Sequence, residues 1–341
     1  MAVISATLVP KISLIIPGWN ESKNVLTCID SLRKQIYPNF NVIMVLGGQD
    51  PISIERVKQL NWDKLIILDQ LEPNKMRAYN TALDCPEIGN IILFSDMDCT
   101  FPKDFIQRYH EAMCDHNKNI VTGRVCPDQK GESIIDNYHR CLEAKIASKK
   151  PTMIQSIMGA NFGVRKDFLW NQLGRFDESI GIGTDKAITR RMQEIGEPIY
   201  FDPDIIVYTQ FFSAGIIKYI SQQARWIRIR VLRNKNHNRK SFRLSIMALL
   251  IAWLQSIILP IALIFSAPVW QTHWDTGWYL LGIIWVILLI HAWRQRYNIL
   301  RRAKGNPLKD AGAALVIMLL HYCIRIIASI QLVLNKYRLQ W

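Results

Sequence analysis

Hydrophobic residues in the first 110 positions fall into four short runs, "KISLIIPGWN", "NVIMVL", "KLIILD" and "NIILFSD". Near-continuous apolar character over so few residues is the signature of strands buried on both faces. Between them lie "ESKNVLTCIDSLRKQ", "PISIERVKQL" and "EPNKMRAYNTALD", whose apolar residues recur with a helical period and which open on the capping residues Asn20, Asp50 and Asn74. Strands alternating with helices predict an α/β fold built on a doubly wound, mostly parallel sheet. Such sheets collect ligands at the carboxyl ends of their strands, so the residues closing each run are the first candidates for chemistry. From Thr100 to Tyr208 the pattern is mixed, with a helix near Phe105 to His116, a strand near Asn119 to Cys126 and a helix near Asp185 to Ile195.

The last third differs. Apolar runs extend over Leu244 to Val269, Gly277 to Trp293 and Ala311 to Leu334, which are 26, 17 and 24 residues. At about 1.5 Å per helical residue, the first and third cross a hydrocarbon core of roughly 30 Å and the second barely does. The third contains His321 and Arg325, and spanning is preferred for it because an arginine can snorkel or face neighbouring helices. Gly215 to Lys240 is amphipathic and strongly basic, which suits an anionic membrane interface.

Charge sharpens this division. The 341 residues carry 42 Lys plus Arg against 28 Asp plus Glu, a formal net charge of +14. Up to Ser221 there are 25 basic and 26 acidic residues, and from Gln222 onward 17 and 2, so the whole excess flanks the apolar runs. A basic flank beside a span is ordinary membrane topology, and no nucleic-acid partner is expected. Trp270 to Thr276 lacks Lys and Arg whereas Arg294 to Asp310 is rich in both, which puts the N-terminal domain and the latter loop in the cytoplasm. The expected organisation is a cytoplasmic domain over 1–221, a basic interfacial segment over 222–243 and a membrane domain over 244–341 with about three transmembrane helices. The seven cysteines include no CxxC pair and the N-terminus has no signal-peptide pattern, consistent with reduced thiols facing the cytosol in a multi-pass protein of the cell membrane.

Candidate chemistry begins with "SDMD", which sets Asp96 and Asp98 after a strand, one residue apart. Two carboxylates so spaced can share a hard divalent cation, although such a pair taken alone is more often a solvated turn. "IIPGWNE" closes the first strand with Pro17, Asn20 and Glu21; "GIGTDKAITRRM" sets Asp185 at the start of a helix; "SQQARW" supplies Gln222, Arg225 and Trp226. Taken singly, Asp185 reads as a helix cap, Arg225 as a lipid-facing charge and Trp226 as a belt aromatic.

Together and in this order, these pieces resemble the membrane-bound family 2 glycosyltransferases of the D, DxD, D, QxxRW type, over about Lys11 to Arg230. "IIPGWNE" looks like the family's opening strand, and "NKMRAYNTAL" resembles its "GKxxALNxGL" helix with Lys75 and Asn80 matching. "SDMD" corresponds to the DxD motif, while "MGANFGVRKDFL", "LGRFDESIGIGTD" and "SQQARW" correspond to the acceptor-side motifs. The chain departs from the pattern at "MVLGGQD", where the usual base-contacting carboxylate is missing unless Asp50 replaces it; Thr184 and Asn74 stand where the family often has an acidic residue and a glycine.

The resemblance implies a GT-A domain followed by an interfacial helix and transmembrane helices. It also implies inverting transfer from a nucleotide-diphospho-sugar, with a UDP-sugar favoured, to a lipid or lipid-linked acceptor. Asp96 and Asp98 would hold Mn²⁺ or Mg²⁺, and Asp185 would be the catalytic base. Pro17, Asn20, Glu21, Lys75, Asp96 and Arg225 would bind the donor, and Gln222 and Trp226 the acceptor or product. Two other classes stay open: a processive exopolysaccharide synthase subunit acting with an oligomer or channel partner, and a non-enzymatic membrane protein that binds anionic lipid.

Overall fold

The computed structural model describes residues 9–21, 23–48, 55, 57–128, 133–147, 150–181, 183–209, 215–237, 239–254, 276–303 and 305–334. Asp50, nearly all of the segment "PISIERVKQL" before Val57, residues 255–269 of the first long apolar run and 270–275 of the predicted external loop lie outside them.

In chain order the elements are β1 (Ile12–Trp19), α1 (Val25–Leu32), β2 (Phe40–Gly47), β3 (Leu65–Asp69), α2 (Lys75–Leu83), β4 (Ile91–Ser95), β5 (Cys99–Thr100), α3 (Phe105–His110) and β6 (Ile120–Pro127). They continue with α4 (Ile134–Ala147), β7 (Thr152–Ile154), β8 (Asn161–Arg165), α5 (Thr184–Ile195), β9 (Ile199–Thr209), α6 (Gly215–His237), α7 (Arg239–Trp253), α8 (Thr276–Leu300) and α9 (Pro307–Leu334). Two compact units result. The first comprises 1–129, 145–210 and 339–341, and the second 130–144 and 211–338, so the 15 residues 130–144, which hold most of α4, group with the C-terminal helices and not with their chain neighbours.

The nine described strands of the first unit form one sheet in the order β3-β2-β1-β4-β8-β6-β9-β5, with β7 also on β9. The predicted runs became β1 to β4, which pair in parallel because helical crossovers return the chain to the same end. Their continuous apolar sequence reflects burial on both faces. Ile12, Leu14 and Ile16 pack with α1 and α3 on one side, and Ile15, Ile43 and Phe94 pack with α2 and α5 on the other.

The sheet is mixed, which corrects the mostly parallel one expected. β8 enters antiparallel between β4 and β6, and β5 and β7 run antiparallel to β9. Asn161, fully buried, makes the insertion of β8 possible: its Nδ2 donates to the carbonyls of Arg124 at 2.7 Å and Ile205 at 3.1 Å, and its Oδ1 accepts from the Tyr109 hydroxyl at 2.7 Å. A buried amide so satisfied ties three strands and α3 together. Gly163 keeps the same strand close to β4, since a β-carbon there would stand 2.6 Å from Leu93 Cδ2.

In the second unit, α4 contributes Ile135, Tyr138 and Cys141 to a core with Tyr219 and Ala224 of α6, Leu300 of α8 and Ile317, Leu320 and Ile324 of α9. Among the described residues one helix, α9, is long and apolar enough to cross a membrane. The second apolar run lies in α8.

Candidate active site

The loop closing β1 turns sharply. Asn20 takes a left-handed conformation with φ 59°, and its amide donates to Gly47 O at 3.1 Å, joining the ends of β1 and β2. Asn20 therefore ends a strand, and the cap position of α1 falls to Asn24, whose Nδ2 donates to Glu21 Oε2 at 2.7 Å. Pro17 is buried opposite Val45. Gly47 is required by its neighbour: a β-carbon would stand 2.0 Å from the carbonyl oxygen of Gln70. Gln70 follows β3 and is buried, with its Nε2 donating to Glu72 O at 2.9 Å and its Oε1 lacking a hydrogen-bond partner among the described residues.

In the loop after β3, Asn74 caps α2 as expected, its side chain accepting from the Arg77 amide at 3.1 Å. This cap aims the next residue, Lys75, at the end of β4, where its ammonium pairs with the Asp96 carboxylate and lies 5.6 Å from the ring centre of Tyr79. Burial works against the charge on Lys75, but Asp96 and Tyr79 more than offset it and hold the ammonium charged, above the ordinary lysine range. Asn80 is structural: it donates to Phe176 O at 2.9 Å and Glu178 Oε1 at 2.8 Å and accepts from the Phe176 amide at 3.0 Å, clamping the segment before α5 onto α2.

Asp98 lies one turn beyond Asp96, with its Oδ2 accepting from the Thr209 hydroxyl at 3.1 Å across the β5–β9 pairing. Burial raises its pKa and the nearby Asp96 carboxylate raises it further, while the Thr209 hydroxyl works in the opposite direction. Two close carboxylates with hard oxygen donors, one of them short of compensating charge, fit a divalent cation of the Mn²⁺ or Mg²⁺ kind, which completes its shell with water and phosphate oxygens. Among the described residues no group of three or more His, Cys, Asp or Glu side chains could hold a metal, so such an ion would rest on this pair.

Asp185 is the second residue of α5. The cap is Gly183 with φ 73° and no side-chain bond, so Asp185 is not the helix cap that its position suggested. Its carboxylate lies 3.6 Å from Lys186 Nζ, and its Cβ abuts Gly159, where an added β-carbon would stand 2.8 Å away. Gly159 precedes β8, which pairs with β4, and Ser95 Oγ donates to Ala160 O at 2.8 Å. Asp185 also bears electrostatically on Tyr79, the neighbour of Lys75 and Asp96.

Thus Pro17, Asn20, Glu21, Lys75, Asp96, Asp98 and Asp185 share one edge of the first unit. Gln222, Arg225 and Trp226 lie on α6 of the second, with Arg225 and Trp226 exposed. Gln70, Gly159 and Thr209 escaped the sequence reading. The glycine pair after β2 signals the close approach that admits Gln70, whereas nothing local marks Thr209.

The mixed nine-stranded α/β sheet is GT-A-like. Residues 13–173 match the family model "Glycosyl transferase family 2". Glycosyltransferase AglE of Haloferax volcanii is 25% identical over 205 residues, covering 58% of this chain and 66% of that protein. Glycosyltransferase GlyA of Streptococcus pneumoniae is 25% identical over 217 residues, covering 58% of this chain and 30% of that one. The chain thus spans just under two thirds, or less, of these relatives. Among solved structures, the mannosyltransferase PcManGT of Pyrobaculum calidifontis, in complex with GDP-Man and Mn²⁺, superposes with a TM-score of 0.56 at 19% identity, covering 97% of this chain and 89% of that one.

Proposed function

We propose that this chain is an inverting, metal-dependent family 2 glycosyltransferase that moves a sugar from a nucleotide-diphospho-sugar to a lipid or lipid-linked acceptor at the cytoplasmic face of the cell membrane. The observation that carries the reading is the arrangement of Lys75, Asp96 and Asp98 at the end of β4 with Asp185 on the neighbouring helix.

Asp96 and Asp98 would hold Mn²⁺ or Mg²⁺, which when bound would offset charge developing on the departing diphosphate. Lys75 keeps a fixed positive charge at Asp96, and Pro17, Asn20 and Glu21 form the strand end against which the nucleoside is held. Asp185 accepts the proton of the acceptor hydroxyl as that oxygen attacks the anomeric carbon from the face opposite the diphosphate. For Gln222, Arg225 and Trp226 we retain the roles implied by the QxxRW resemblance, a cation for the donor's diphosphate and a surface for the acceptor. A UDP-sugar remains the favoured donor, and the GDP-Man bound by the Pyrobaculum protein makes GDP-mannose the second to test.

The deciding experiment incubates membranes containing the full chain with a panel of labelled UDP- and GDP-sugars, with and without chelator, and resolves lipid-extractable products by mass. Metal-dependent appearance of one glycolipid is expected. Absence of both transfer and donor hydrolysis across the panel would overturn the reading.

A further inference from the structure

The connection between β7 and β8 grips α5 at four points. Gln193 Nε2 donates to Gln155 O at 2.6 Å, Lys186 Nζ donates to Ser156 Oγ at 2.5 Å, the Ile157 amide donates to Thr189 Oγ1 at 3.2 Å, and Gly159 abuts the Asp185 Cβ. Three of these converge on Asp185. The Thr189 hydroxyl donates in turn to Asp185 O at 2.7 Å, which ties the backbone of Asp185 to Ile157. The Lys186 ammonium, fixed at Ser156, lies 3.6 Å from Asp185 Oδ2, which ties the carboxylate to the same segment. Ile157 and Thr189 are buried, whereas Ser156, Asp185 and Lys186 are half-buried at the surface.

Helix formation gives no reason for a cation here. Lys186 is the third residue of α5, where the peptide dipoles present their positive end and a lysine is unfavourable. Thr189 already holds the Asp185 backbone, and Gly159 limits the approach of its Cβ. The freedom they leave is rotation of the carboxylate, and that is the freedom a tethered ammonium beside Oδ2 removes.

We propose that Lys186, anchored by Ser156, is the positioning residue for Asp185, holding Oδ2 so that Oδ1 is presented to the acceptor hydroxyl. Lys186 keeps its own proton throughout. The inference rests on the reading of Asp185 as the base.

The test compares full-length wild type, Lys186→Met, Lys186→Arg, Ser156→Ala, Asp185→Asn and the double variant Lys186→Met with Asp185→Asn. It measures kcat with the best donor of the labelled UDP- and GDP-sugar panel, equilibrium binding of that donor, and melting temperature. Lys186→Met should lower kcat about tenfold or more, because a reacting group free to rotate is less often aligned, while the donor's Kd stays within about twofold. Lys186→Arg should recover most of the loss. Ser156→Ala should lower kcat severalfold and serves should Lys186→Met fail to fold. In the Asp185→Asn background, Lys186→Met should cost no more than about twofold further, since a residue acting through Asp185 then has nothing to orient.

Normal kcat in Lys186→Met or in Ser156→Ala, beside an inactive Asp185→Asn, would overturn the positioning role and leave the base assignment standing. So would the same fractional loss in both backgrounds, or a rise in donor Kd that accounts for the loss. Near-normal turnover of Asp185→Asn alone would instead overturn the reading of Asp185 as the base, and the role of Lys186 with it.

Discussion

The α-carbon of Gly159 faces Asp185 so closely that an added methyl group would stand 2.8 Å from the Asp185 Cβ. The strand beside the paired carboxylates thereby sets how far the proposed base projects. Gly159→Ala should push α5 outward and lower kcat about tenfold or more while the donor's Kd stays within about twofold, because misplacement of a reacting group acts on the chemical step. Steady-state kinetics and equilibrium donor binding on the same preparation check this; a rise in donor Kd with unchanged kcat would refute it.

Asp185→Asn separates chemistry from structure. The helix is capped by Gly183, so the amide should leave the melting temperature within about 2 °C of wild type. Turnover should fall at least a hundredfold with donor binding retained. Near-normal turnover would move the proton acceptor elsewhere.

Asp98→Asn preserves shape and the bond from Thr209 while removing a half-buried charge beside Asp96. Stability should hold or rise, and transfer should fall at least a hundredfold. Wild-type transfer should cease in excess chelator and return with Mn²⁺ or Mg²⁺. Full activity in chelator would end the metal assignment.

Asn161→Ala strips the partner from the buried Tyr109 hydroxyl and from two carbonyls, each of which then bears its own desolvation cost. A loss of about 3 kcal/mol or more is expected. Chemical denaturation would reveal it, and a loss below about 1 kcal/mol would show that water replaces the amide.

His139 on α4 is held neutral, its pKa lowered to about 4 by burial against a small opposing effect of Asp136, and its Nε2 lies 3.0 Å from the Tyr219 hydroxyl. The unfolded chain takes up this proton near pH 6.5 and the folded chain only near pH 4. Stability should therefore decline as pH falls from about 6.5 and level off below about 4, by about 3 kcal/mol at most. Melting temperatures at pH 7.5, 6 and 5 should show a steeper fall for wild type than for His139→Gln, and parallel curves would contradict the burial.

The strands that were legible in the sequence are those whose burial on both faces leaves a continuous apolar mark, β1 to β4. β8 hid behind Asn161 and Gly163, residues that ordinarily weaken a strand but here serve a buried amide hub and a close approach. β9 hid behind Pro203 and Asp204, turn signals that its 11 residues absorb at a register shift opposite β6. Of the candidate site, Asp96 and Asp98 stood out as charge at a strand end, whereas Lys75 was singled out only through the resemblance of its helix to the family's. Gly159 and Thr209 were not, since their contribution depends on which strands meet, and the sequence does not carry that information locally. Asn20 was misread as a cap because a polar residue after a strand looks the same whether it opens a helix or turns left-handed.

The grouping of 130–144 with the C-terminal helices matters during synthesis. Ile135, Tyr138 and Cys141 emerge from the ribosome 78 residues or more before Tyr219, and 183 or more before Ile324, counting from Cys141. At about 5–20 residues per second, that is roughly 4–16 s before the first partner arrives and roughly 9–37 s before the last. Throughout that interval an apolar helix face must be kept from other chains, so the nascent protein has a window of aggregation risk that the finished fold gives no sign of.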